Sequence, residues 1–167
     1  MKNFFLPLVV LLFILHSAHA QEKESLPAIS FSLGAEASLP VGLFGDVYSF
    51  GIGASAQGNF RTSNNTALTL NAGYINYFIK SIYGKGNQGY IPVLGGLEFN
   101  FSPKVFGAAQ SGFTFFSDGG GSAFTYSPGI GFRISRHFAA LLKYVGQVRS
   151  AINSSSIGVR GAYIFGK

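Results

Sequence analysis

The sequence has no cysteine and no tryptophan, and charged residues fill only 11% of its 167 positions. Without cysteine there can be no disulfide framework, thiolate metal site, thiol nucleophile or lipidated N-terminal cysteine. Histidine is nearly as scarce. Of three in the chain, His16 and His19 fall within the first twenty residues, so His137 alone is left for acid–base or metal chemistry beyond them. Soluble domains usually carry about 25% charged residues. So little charge, in a chain with 18 Phe, 8 Tyr and 23 Gly, excludes a disordered polar chain. The length suits one domain.

Residues 1–20 read as a secretory signal peptide. Lys2 supplies the basic start, Phe4 to Leu15 is an apolar run broken only by Pro7, and Ala18-His19-Ala20 gives a small-x-small cleavage pattern. A membrane-spanning helix needs about 20 apolar residues, more than this run supplies. The mature chain is then expected to begin at Gln21, with residues 21–28 a short polar N-terminal segment and a folded domain over 29–165. Removing Lys2 leaves eleven Lys plus Arg against six Asp plus Glu, 11 − 6 = +5.

From Ile29 onward the chain alternates with period two, the signature of strands whose faces meet different environments. Ile29, Phe31, Leu33, Ala35, Ala37 and Leu39 share one face, and Ser30, Ser32, Gly34, Glu36 and Ser38 the other. Similar runs cover 50–61, 67–78, 91–101, 105–116, 124–134, 138–149 and 156–165, eight in all. The fifth has an uncertain register, because Phe106 and Phe116 interrupt it.

A soluble barrel would turn the apolar face inward and a membrane barrel would turn it outward. An eight-stranded barrel is only just wide enough to be filled by side chains, and this face carries far more bulk than such an interior admits. The opposite face is mainly Gly, Ser, Thr, Asn and Ala, unlike a solvated surface with about 25–35% charged residues. Its few charges are Glu36, Arg61, Glu98, Arg133, Lys143, Arg149 and Arg160. Small polar residues suit a narrow lumen, and spanning strands must close on themselves to satisfy their backbone. The expected fold is all-β: an eight-stranded antiparallel up-and-down transmembrane β-barrel. Short turns at 62–66, 102–104 and 135–137 are expected on the periplasmic side, with both termini. The generally longer connections at 40–49, 79–89, 117–122 and 150–155 are expected outside. Aromatic girdles are expected at Phe60, Phe101, Phe132, Phe138 and Phe165 below, and at Phe50, Phe78, Tyr90, Phe115 and Tyr126 above.

In this pattern the chain resembles the small eight-stranded outer-membrane barrels of Gram-negative bacteria, the OmpA-like and OmpX-like group. The mature start at Gln21 resembles exported proteins of Bacteroidota. The resemblance implies residence in the cell outer membrane as a monomer, amid outer-membrane lipid and lipopolysaccharide, after insertion by the barrel-assembly machinery. The family often ends on an aromatic residue, whereas Phe165 here is followed by Gly166-Lys167.

Catalytic motifs are weak. Gly84-Lys85-Gly86-Asn87-Gln88-Gly89 matches G-x-G-x-x-G, but phosphate binding by that motif needs a following helix, and a strand with Pro92 comes next. His137 sits in a turn with no partner set, and no G-x-S-x-G occurs. No catalytic residue, cofactor, metal or nucleic-acid partner is expected. Charges in a narrow lumen are costly unless paired, so Glu36 and Glu98 are expected to pair with Arg133, Lys143 or Arg160 as a structural plug. The loop with Lys80, Tyr83 and Lys85 mixes cations and aromatics and is the candidate contact surface. The expected role is non-enzymatic, in envelope structure or surface interaction; the alternative is a narrow porin-like channel for small or hydrophobic solutes.

Overall fold

The computed structural model describes residues 29–84, 86–149 and 152–165. The expected signal peptide and the 21–28 segment lie outside them. The strands are β1 (Ile29–Val41), β2 (Tyr48–Arg61), β3 (Thr66–Ile79), β4 (Asn87–Asn100), β5 (Val105–Phe116), β6 (Ser122–Arg133), β7 (Phe138–Arg149) and β8 (Ile152–Phe165). Each pairs antiparallel with the next, and β8 returns to β1 with Arg160 opposite Glu36, closing the barrel. Closure leaves no unpaired strand edge, the condition for β-structure in hydrocarbon.

The side chains sort by face as the alternation requires. Along β1, Phe31 and Leu33 are 59% and 58% exposed, whereas Glu36 between them and the far end is 5% exposed. The same inversion holds around the wall, with Leu70, Ile130, Leu142 and Val159 outside and Thr69, Ser127, Lys143 and Arg160 inside. A water-soluble protein would not leave a continuous belt of this kind uncovered. In β5 the register left open by the sequence is fixed: Phe106, Gln110 and Thr114 are buried in the lumen and Phe113 and Phe115 point out. Phe106 fits inside because it lies opposite Gly131, whose absent Cβ leaves the space its ring occupies.

The connections at the termini end repeat one device. In each four-residue turn a serine hydroxyl accepts the N–H groups of the residues two and three positions ahead. Ser63 does so from Asn65 and Thr66, Ser102 from Lys104 and Val105, and Ser135 from His137 and Phe138. Such hydroxyl-capped turns are a low-cost way to reverse the chain.

The far end differs from expectation in two places. The first connection holds a short helix, α1 (Leu43–Val47), entered at Gly42 with φ 60°. The last connection is far shorter than 150–155, because β8 begins at Ile152 and pairs with Arg149. Asn153-Ser154-Ser155 look like a loop in sequence but pair in the ladder with Val148, Gln147 and Gly146. The far-end connections are therefore not uniformly longer than the turns.

Candidate functional site

The interior has three layers. At the termini end a cavity of about 910 Å³ is lined by the strand ends and by the turns 101–104 and 134–137. Its walls bear Arg61, Lys104, Arg133, Arg136 and Arg160, with Glu98 as the one carboxylate among the described lining residues. Arg133 donates to Glu98 through Nη2 and to Asn100 Oδ1 through Nη1 at 2.7 Å. Its guanidinium also lies 4.6 Å from the Phe106 ring centre. Beside it Phe106, Ala139 and Leu141 form a buried apolar cluster joined by Ala108 and Ile164.

Next comes a polar floor. Glu36 meets Lys143 Nζ at 3.0 Å and Arg160 Nε at 3.6 Å, with all three side chains buried. Ser55 links the set, donating to Glu36 Oε1 at 2.7 Å while accepting from Arg160 Nε at 2.8 Å. Arg160 Nη2 donates to Ser32 Oγ at 3.0 Å. Gly34, two residues before Glu36 on β1, leaves room for the guanidinium, since a Cβ there would come within 2.7 Å of Nε. Alongside, Gln110 donates to Gln57 at 3.2 Å and to Thr69 at 3.0 Å, and Asn71 donates to Gln57 at 3.3 Å. The Thr114 and Thr125 hydroxyls share a hydrogen bond of 2.7 Å. The expected lumen charges thus gather in two groups, Glu36 with Lys143 and Arg160, and Glu98 with Arg133.

The third layer closes the far mouth. Phe44 of α1 turns inward onto Tyr48, Tyr77 and Tyr90, with ring centres 4.7, 5.0 and 5.9 Å away, and Phe116 packs edge-on against Tyr90 at 4.9 Å. The Tyr77 hydroxyl reaches Ser38 at 2.9 Å. Tyr90 therefore belongs to this cap and not to the outer girdle expected from its place near a strand end. Between cap and floor a void of only about 20 Å³ remains, about enough for one water. The cap was hidden in the sequence because Phe44 looks like an ordinary loop residue. Ile75, Tyr77 and Leu94 put apolar groups on a face that otherwise reads as polar.

The far rim carries the candidate contacts. The Lys80 N–H donates to Val47 O at 2.9 Å, tying the loop to α1, and Tyr83 N–H donates back to Lys80 O at 2.9 Å in a 3-10 turn over Ser81–Tyr83. Leu43, Ile82 and Tyr83 project freely, at 77%, 79% and 61% exposure. Lys85 lies outside the described residues. Gly84, with φ 102°, ends the 3-10 turn and β4 follows, so the glycine-rich stretch is a hairpin without a helix. In the next loop the Gln88 side chain, with the Gly120 N–H that donates to Asp118 at 2.9 Å, holds the Asp118 carboxyl below its usual range. His137 stacks on Tyr163 with ring centres 5.7 Å apart. Among the described residues no cluster of His, Asp and Glu could hold a metal.

No described protein family and no curated protein matches the sequence. Solved structures do. Ail, the attachment invasion locus protein of Yersinia pestis, is 19% identical, with a TM-score of 0.58 over 84% of this chain and 100% of its own. The chain has the fold of the small eight-stranded outer-membrane barrels. The N-terminal β-barrel domain of Pseudomonas aeruginosa OprF (14% identical, 81% and 97% covered, TM-score 0.54) is similar to it in the same way. So is Neisserial surface protein A (11%, 85% and 100%, 0.51). With these barrels the chain shares the closed eight-stranded fold.

Proposed function

We propose that the protein is a non-enzymatic barrel of the outer membrane that supports envelope structure and makes surface contacts through its far rim, where lipopolysaccharide is the nearest anionic surface. The observation that carries this reading is the blocked lumen. An aromatic cap and a hydrogen-bonded polar floor stand in series, and the void between them is about one water in size. Solute passage would require both to move, whereas Leu43, Ile82 and Tyr83 need no rearrangement to meet a partner. The fold it shares with an attachment and invasion protein is compatible with such a role.

The test is lipopolysaccharide capture by the protein in nanodiscs. Replacing Leu43, Ile82 and Tyr83 together with serine should reduce capture severalfold. Heat stability should be unchanged, because exposed positions usually shift it by no more than about 0.5 kcal/mol. Equal capture by the variant would remove the rim from the account. In planar bilayers the unaltered protein should show no sustained single-channel steps, and regular steps would favour the channel reading instead.

A further inference from the structure

The termini-end cavity has a composition that the surface role does not use. Its rim is basic, with Lys104 and Arg136 supplied by turns and Arg61 and Arg133 by strand ends. One wall is apolar although it faces the lumen, formed by Phe106, Leu141 and Ile164. In this fold an inward position is expected to be polar, so an apolar wall inside departs from the pattern. Phe106 and Leu141 are packed within their own cluster and show only their edges, at 5% and 7% exposure, and the half-buried Ile164 gives the wall its open apolar surface on the cavity of about 910 Å³. Cavities of about 300–1,000 Å³ are the size of small-ligand sites, with mostly apolar walls and a few polar groups that fix orientation. Its floor is sealed by the Glu36–Lys143–Arg160 group, so the cavity is a dead-end cup rather than a passage.

We propose that this cup is a binding site for a single-chain anionic amphiphile. The carboxylate or phosphate head lies at the rim among Lys104, Arg133 and Arg136, and the acyl chain lies along Phe106, Leu141 and Ile164. Basic groups alone would suit any small anion, and the apolar wall alone would suit any oil. The two side by side select a molecule with both features. The polar floor limits how deep the chain can go, which favours medium-length chains.

Amide resonances of the isotope-labelled protein in nanodiscs, titrated below micelle formation with decanoate, decyl phosphate, inorganic phosphate and decanol, test this. Decanoate or decyl phosphate should shift the amides of Phe106, Leu141, Ile164 and Lys104 saturably, and the stronger of the two identifies the head. Ile164→Asn, at the half-buried wall position near the end of β8, should weaken that binding by about tenfold, as expected for losing one aliphatic contact. Lys104→Glu, in an exposed turn where folding is not at risk, should weaken it by about two- to fivefold. Phosphate binding as tightly as decanoate would overturn the acyl part of the proposal. Shifts confined to bilayer-facing residues such as Leu142 and Val159, or binding unaffected by Lys104→Glu, would overturn the site altogether.

Discussion

Glu36→Ala should destabilise the barrel by about 3–5 kcal/mol, the usual cost of leaving buried charges without their partner. Lys143 and Arg160 converge on this one carboxylate from β7 and β8, and all three side chains are buried. Removing it leaves two cations facing each other in a narrow lumen. Urea unfolding in phospholipid vesicles reads the effect as a lowered midpoint. Adding Lys143→Met to Glu36→Ala should recover part of the loss, because the surviving Arg160 still has Ser32 and Ser55 as acceptors. Glu98→Ala should cost less, since Arg133 is partly exposed near the open end and also donates to Asn100. Equal losses at Glu36 and Glu98 would contradict this layered reading of the lumen.

The second large effect concerns the wall. Val159 lies midway along β8, opposite Ala37 and Leu142, and is 48% exposed on the outward face. An arginine there must sit in the hydrocarbon, at a cost of about 2–4 kcal/mol near the bilayer midplane. Ile29→Arg, at the edge of the belt, should cost far less, because the cost falls towards the interface. If the outward face met water instead of lipid, both substitutions would be tolerated equally.

Sequence reasoning reached the barrel because its two faces differ in kind at nearly every position. Ile157, Val159, Tyr163 and Phe165 alternate with Ser156, Gly158, Arg160 and Ala162, and no tertiary information is needed to see it. It also singled out Glu36, Glu98, Arg133, Lys143 and Arg160 as inward charges. What it missed depends on closure. α1 is five residues long, too short to declare itself by periodicity, and Phe44 turns inward only because Tyr48, Tyr77 and Tyr90 meet there from three different strands. The start of β8 was hidden because Asn153-Ser154-Ser155 has turn composition, and ladder pairing to β7 overrides it. The basic cup was invisible for the same reason. Lys104 and Arg136 lie in turns separated by a whole hairpin, and only the closed barrel brings them to one rim with Arg61 and Arg133.

A membrane barrel requires that the apolar face meet lipid. The chain's lack of cysteine allows single spin labels to be placed along β8 with no background label, and their collision rates with oxygen and with a water-soluble nickel reagent measured in bilayers. Labels at Ile157, Val159 and Tyr163 should meet oxygen readily and nickel poorly, and labels at Gly158 and Ala162 should show the period-two counterphase with little oxygen contact. High nickel contact at Val159, or no alternation between neighbouring positions, would contradict the outward apolar face and with it the membrane barrel.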